Sequence, residues 1–163
     1  MKRDRILAAF LDTTFLLPFF QLGIIVEAFD LNAFREFTGG LSEAHVSELS
    51  IFEAKAKLLR LSRNDDAYKQ VLEGFGSNLA VLREDERFVF HPYTQRDDHY
   101  FDLISTKKLE LDSFDAIIVA QALDTGLLVT EDREILSLKK NPAFTADPSL
   151  GKLEIRRWRE LGY

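Results

Sequence analysis

The chain has 163 residues, a formal charge of -6 and no cysteine. That length suits one domain spanning residues 1–163 with a sizeable core. Without cysteine, disulfides, thiolate chemistry and Cys-ligated zinc are excluded, and the acidic balance speaks against tight nonspecific nucleic-acid binding, which rests on phosphate neutralisation.

In chain order, Ile6 to Leu11 reads as a first strand, a short apolar run ending in Asp12 and two hydroxyls, Thr13 and Thr14. The apolar stretch Thr13 to Val26 is broken by Pro18 and Gln21 and is too short to span a bilayer. Asp12 stands where a signal peptide needs its apolar centre, so the chain reads as soluble and cytoplasmic, with no membrane partner. Ile24 to Phe37 predicts an amphipathic helix stopped by Gly39-Gly40. Ser42 to Arg63 predicts the longest helix, with Leu49, Phe52, Ala56 and Leu59 along its apolar face. Glu53 falls in phase with that face, where a carboxylate needs a partner: Lys57 one turn on, or a bound cation. Asp65 to Leu82 predicts a further helix, Glu84 to Arg87 a charged turn and Phe88 to Phe90 a second strand. Asp97 to Leu109 predicts a helix with Lys107 and Lys108 suited to its C-terminal turn.

The stretch Leu111 to Ile135 organises the chain. Asp112-Ser113-Phe114-Asp115 opens a helix that is apolar from Ala116 to Leu123 except at Gln121. Asp124-Thr125-Gly126 turns the chain into Leu127-Leu128-Val129, a buried-type strand followed by Thr130, Glu131 and Asp132. Capping suffices to explain Asp112; Asp115 has two open roles, capping or function, and Asp132 suits the N-cap of the helix that follows. Glu134 to Lys139 is a short helix ended by Asn141-Pro142, and Leu153 to Trp158 a closing edge strand. Two basic runs stand out in this acidic chain: Lys55, Lys57, Arg60 and Arg63, then Lys152, Arg156, Arg157 and Arg159. Each suits either a solvated face or contact with a short nucleic acid.

Strands alternating with helices predict a three-layer α/β/α fold with a mostly parallel sheet. Ligands bind outside the carboxyl ends of such strands, so Asp12, Asp115, Asp132 and the helix-borne Glu53 can share one cleft. Clustered carboxylates repel unless cations neutralise them. Oxygen ligands suit Mg²⁺ or Mn²⁺, and acidic clusters of this kind support phosphodiester hydrolysis by two metals about 3.5–4 Å apart.

At these residues the chain resembles the PIN-domain nucleases, in particular the toxin subunits of VapBC modules. Four blocks carry the resemblance: Phe10-Leu11-Asp12-Thr13-Thr14, Leu49-Ser50-Ile51-Phe52-Glu53, Asp115-Ala116-Ile117-Ile118-Val119-Ala120-Gln121-Ala122, and Leu128-Val129-Thr130-Glu131-Asp132-Arg133-Glu134-Ile135. It implies catalytic and metal-binding roles for Asp12, Glu53, Asp115 and Asp132, with Glu134 as a further metal ligand where the family more often has Asp before an aromatic. Thr130 looks like the hydroxyl that orients the last acid; Thr14, Lys57 and Arg60 are accessory candidates. The resemblance further implies a five-stranded sheet in the order 3-2-1-4-5, Mg²⁺ or Mn²⁺, cleavage of RNA, homodimers, and a small antitoxin that fills a hydrophobic groove. The Phe-rich segment between Phe15 and Phe37 adds its own argument for a dimer, since it holds more large apolar side chains than one sheet face needs.

Other classes fit less well. A haloacid-dehalogenase-type phosphatase needs a second Asp where Thr14 stands, and a receiver-type phosphoacceptor needs an acid pair where Asp12 is alone. Structure-specific DNA nucleases of related fold carry long insertions for which this chain has no room. A catalytically inactive PIN-like domain that binds RNA or protein is the alternative.

Overall fold

The computed structural model describes residues 6–163. Five strands, β1 (Ala8–Leu11), β2 (Glu43–Ser47), β3 (Phe88–His91), β4 (Leu127–Val129) and β5 (Glu154–Arg156), form one sheet in the order β3-β2-β1-β4-β5. Every neighbouring pair is parallel. The helices are α1 (Thr13–Leu16), α2 (Leu31–Gly40), α3 (Glu48–Ser62), α4 (Ala67–Glu84), α5 (Gln95–Thr106), α6 (Ser113–Ala122), α7 (Arg133–Ser137) and α8 (Pro142–Thr145). This is the expected three-layer fold with the expected strand order.

The period-2 alternation of strand side chains divides the core in two. Ala9, Leu11, Ala44, Val46, Leu127 and Val129 face one layer, built largely from α1 to α4. Phe10, Leu128 and Ile155 face the other, built largely from α5 to α8. The central strands are buried on both faces, which is why β1 and β4 read as continuous apolar runs. Among the described residues no helix is long and apolar enough to cross a membrane.

Several expected elements differ. The predicted helix Ser42 to Arg63 holds two elements, because Glu43–Ser47 is the strand β2 between β1 and β3. Its alternation is short, with Ala44 and Val46 buried and Glu43 exposed, and it runs into α3 through Ser47, whose hydroxyl accepts the Leu49 N–H at 3.2 Å. Phe88–His91 is therefore the third strand, not the second. Starting the helix at Glu48 leaves α4, with 18 residues, as the longest helix. The inward face of α3 is Ser50, Ile51, Ala54, Leu58 and Ser62, while Phe52 and Leu59 point outward. The predicted stripe of Leu49, Phe52, Ala56 and Leu59 lies on the other side of the helix. Packing against α4 and the sheet selected the narrower stripe with smaller side chains.

The predicted helix Ile24 to Phe37 begins later, at Leu31, where the Asp30 carboxylate caps the Ala33 N–H at 2.8 Å. Ala28 upstream has a left-handed φ of 58°, incompatible with a continuing helix. Glycines Gly39 and Gly40 form its last turn instead of stopping it earlier. The predicted strand Leu153 to Trp158 shortens to β5, and Trp158 turns inward in a 3-10 turn, Trp158–Leu161. Its indole N–H donates to the Ala28 carbonyl at 3.0 Å. Phe15, Phe34 and Phe37 pack around that indole, and Phe20 stacks on Phe75 at 4.1 Å between ring centroids. Each such pair contributes about 0.5–1.5 kcal/mol beyond its buried area. The Phe-rich segment is thus mostly consumed in the core of the chain itself, and its aromatic content is no sign of a dimer face. Gln121, the polar exception in α6, is buried and its amide donates to the carbonyls of His91 and Pro92, each at 3.3 Å.

Candidate active site

The chain leaves β1 toward one face of the sheet and β4 toward the other. Adjacent parallel strands with such diverging connections leave a crevice at their carboxyl ends. Asp12 follows β1 directly, and its backbone N–H donates to the Val129 carbonyl at 3.1 Å, which ties it to the end of β4. One carboxylate oxygen, Oδ1, accepts the Thr13 N–H at 2.7 Å, and Oδ2 accepts the Thr130 hydroxyl at 2.6 Å. Asp12 is 8% exposed. Burial pushes its carboxyl up to about 6, opposed by the Thr130 and Thr13 hydrogen bonds and reinforced by the charges of Glu53 and Asp132.

Asp115 sits in the first turn of α6. Asp112 is the N-cap, accepting the Asp115 N–H at 2.9 Å through its own carboxylate. The reciprocal capping bond from Asp115 is not formed, so local helix chemistry does not use this carboxylate. Burial raises it to about 7, and the charges of Asp132, Asp112, Asp12 and Glu134 push the same way. Asp132 is the N-cap of α7, with Oδ1 accepting the N–H groups of Glu134 at 2.8 Å and Ile135 at 2.9 Å. Capping is therefore one job of Asp132, done by one oxygen. Its own N–H donates to the Thr130 hydroxyl at 3.0 Å. Thr130 thereby joins the backbone of Asp132 to the carboxylate of Asp12. Its oxygen holds the last acid's backbone, as the resemblance implies, and its proton goes to the first acid as well.

Glu53 reaches the same place from α3, although the stripe used to predict it is outward-facing. The Thr13 hydroxyl donates to Glu53 Oε2 at 2.7 Å and lies 2.9 Å from the Ser50 hydroxyl. The bond that holds Glu53 comes from Thr13, not from Lys57, which forms no ion pair with it among the described residues. Thr14, the hydroxyl singled out in sequence, lines the wall but bonds to none of the acids. Thr13 and Ser50 went unremarked as site residues; the only signal for them was adjacency, one beside Asp12 and one three residues before Glu53 on the same helix.

Asp12, Glu53, Asp115, Asp132 and Glu134 line one cavity of about 460 Å³ together with Glu131. Among the described residues its single basic one is Arg133. Glu131 is turned to the chain end, where Oε1 accepts the Trp158 N–H at 2.9 Å. Lys57 and Arg60 do not line this cavity; they follow Glu53 along the exposed side of α3, one and two turns away. Phe114, Ile25, Val26 and Ile118 supply an apolar part of the wall.

Among the described residues, no three acidic or histidine side chains converge into a ready-made cation cage. The donor set nevertheless suits a hard divalent ion. It is all oxygen, it lacks imidazole and sulfur, and two of its carboxyls are held above their usual range, first by burial and then by the neighbouring acids, which a cation would offset. A carboxyl near 7 also has the character of a proton donor or acceptor at neutral pH.

The family model described as PIN domain matches residues 9–141. Among solved structures, the chain is similar to one in the crystal structure of VapBC2 from Rickettsia felis bound to a DNA fragment from their promoter. The two share 16% sequence identity and a TM-score of 0.59, over 93% of this chain and 99% of the other. Curated protein sequences include no match.

Proposed function

Because the chain belongs to the PIN-domain family, we propose that it is a metal-dependent endoribonuclease that hydrolyses phosphodiester bonds of RNA, acting as the toxin of a type II toxin–antitoxin pair. The observation that supports this reading is the cavity at the ends of β1 and β4, lined by Asp12, Glu53, Asp115, Asp132 and Glu134 with Arg133 as the one basic residue among the described residues. Asp12, Asp115, Asp132, Glu53 and Glu134 would hold Mg²⁺ or Mn²⁺, which supplies charge neutralisation at the phosphate and an activated water. Asp12 is positioned on both oxygens by Thr13 and Thr130. Thr13 holds Glu53 through Oε2 at the cavity wall. Asp115, raised by burial and by the neighbouring carboxylates, would be drawn into its ionised, ligating form by the cation. Lys57 and Arg60 extend the exposed side of α3 away from Glu53 and would contact phosphates outside the cleft.

The similar solved chain comes from a VapBC complex, and on that likeness we assign this chain a small antitoxin partner; the homodimeric state rests on the resemblance to PIN-domain toxins, and the cytoplasmic location on the sequence reading. The second reading, an inactive PIN-like domain that binds RNA or protein, draws on the lack of a ready-made three-ligand cage. Incubating purified protein with labelled single-stranded RNA separates the two. The nuclease reading expects internal cleavage with Mg²⁺ or Mn²⁺, its arrest by EDTA, and its loss in Asp12→Asn and Asp115→Asn. RNA retention without cleavage under every metal condition favours the inactive domain. A neighbouring gene for a small protein with a DNA-binding start and a helical tail supports the toxin assignment.

A further inference from the structure

Half of the second basic run, Arg157 and Arg159, occupies a place that its sequence position does not suggest. Lys139 and Lys140, at the end of the turn that follows α7, meet Arg157 and Arg159 from the chain end around one surface depression of about 470 Å³. Among the described residues its one acid is Glu160. In a protein of charge -6 this is a local reversal of sign. The bases are already committed only weakly. Lys139 bonds Glu160 at 3.0 Å and Arg159 bonds Glu27 at 3.0 Å, both at the surface, while Arg157 stands 3.9 Å from Glu131. Exposed pairs of this kind contribute about 0–1 kcal/mol and exchange readily for another anion. Lys140 has no acidic partner among the described residues. Glu160 is occupied locally, since its Oε2 also accepts the Arg157 N–H at 2.8 Å.

The depression is joined to the acidic cavity. Glu131 lines the cavity and holds the Trp158 N–H beside Arg157. The helix α7 begins at the Asp132 cap in the cavity, and the 3-10 turn Leu138–Lys140 that continues it ends at the depression. Five α-helical and three 3-10 residues span roughly 14 Å, the reach of two to three nucleotides of extended single strand at about 6 Å each.

We propose that this depression is a phosphate-binding subsite for single-stranded RNA, holding the backbone two to three nucleotides from the bond placed at the acids. The inference rests on the nuclease reading for its register, but the subsite is a binding surface and is testable apart from cleavage. Lys140 and Arg159 are the groups through which to test it, because both are exposed and neither touches the acids.

Affinity is measured on the Asp12→Asn background with a fluorescent single-stranded RNA at several salt concentrations, without divalent metal, so that cleavage plays no part. Lys140→Gln/Arg159→Gln is expected to weaken binding roughly ten-fold at low salt and to lower the slope of log affinity against log salt by about 1.4, two contacts at about 0.7 each. Oligonucleotides shortened by three nucleotides at one end then lose affinity for the parent but not for the double variant, and the effect is confined to one end. Thermal melting confirms that the variant is folded. Unchanged affinity and slope overturn the subsite, as does equal sensitivity of parent and variant to shortening. Should the parent bind RNA in this way while the enzyme with intact Asp12 never cleaves it, the subsite stands and the nuclease reading falls.

Discussion

Replacing Asp12 by Asn should make the protein more stable while abolishing cleavage. The buried carboxyl is raised from 3.8 to about 6, which amounts to about 3 kcal/mol of destabilisation once it is ionised. Asn removes the charge at the same size. Its carbonyl keeps the Thr13 N–H, but its amide meets the Thr130 hydroxyl, whose oxygen already accepts the Asp132 N–H. The Thr130 proton then loses its acceptor, at a cost of about 1–2 kcal/mol. The balance favours the variant by about 1–2 kcal/mol at pH 8, or roughly 3–6 °C in Tm for a chain of this length. Thermal melting without divalent ions, repeated at pH 8 and pH 5, measures it. At pH 5 the linkage leaves about half of that penalty, about 1–2 kcal/mol, which the lost hydrogen bond offsets, so the difference should largely vanish. Adding Mg²⁺ at pH 8 should raise the melting temperature of the wild type and not of the variant, and cleavage should fall by about two orders of magnitude or more. If the variant melts several degrees below wild type at pH 8 and responds equally to Mg²⁺, the carboxylate is a structural cap and the site argument fails.

The pH dependence of the wild type tests the same electrostatics over a wider range. Raised carboxyls hold protons longer in the folded than in the unfolded state, so their effect is absent below about 3.8, grows as pH rises, and is complete above about 6 for Asp12 and about 7 for Asp115. His91, held below its usual range by burial and by His45, acts the opposite way in the same window, so the contrast is read against Asp12→Asn: between pH 5 and pH 8 metal-free wild type should lose melting temperature relative to the variant, and a constant difference would contradict the raised Asp12. The carboxyls held low by their partners, such as Glu48 beside Arg83 and Asp85 beside Arg87, act the opposite way and only in more acid solution. Thr130→Val keeps the shape and removes the buried hydroxyl bonded to Asp12 and Asp132, so it should cost about 1.5–3 kcal/mol by denaturant melts and raise Asp12 further; wild-type stability would argue against that bridge. Gly151→Ala places a Cβ 2.3 Å from the Thr145 carbonyl oxygen, a backbone atom, and should cost about 1–3 kcal/mol by the same measurement without altering RNA cleavage per folded molecule; an unchanged melting point would show that this turn yields.

The sequence by itself determined the features that are local. β1, β3 and β4 were legible because buried strands are short apolar runs, and Asp112 and Asp132 because caps act on their immediate neighbours. The acids Asp12 and Asp132 were legible for the same reason, since Asp12 stands directly past β1 and Asp132 three residues past the end of β4. Tertiary structure decided what depends on a partner far along the chain. Glu43–Ser47 has too little alternation to announce a strand, and becomes one because β1 and β3 satisfy its backbone on both sides. The phase of α3 followed from the helix and sheet it packs on, which is why Phe52 faces outward. The aromatics of residues 15–37 became core because Trp158, from the other end of the chain, fills the space between them. Glu53 was found by its place in a motif, but what holds it is Thr13, 40 residues away. No periodicity within either segment encodes a hydrogen bond between two side chains that meet only when the sheet has closed.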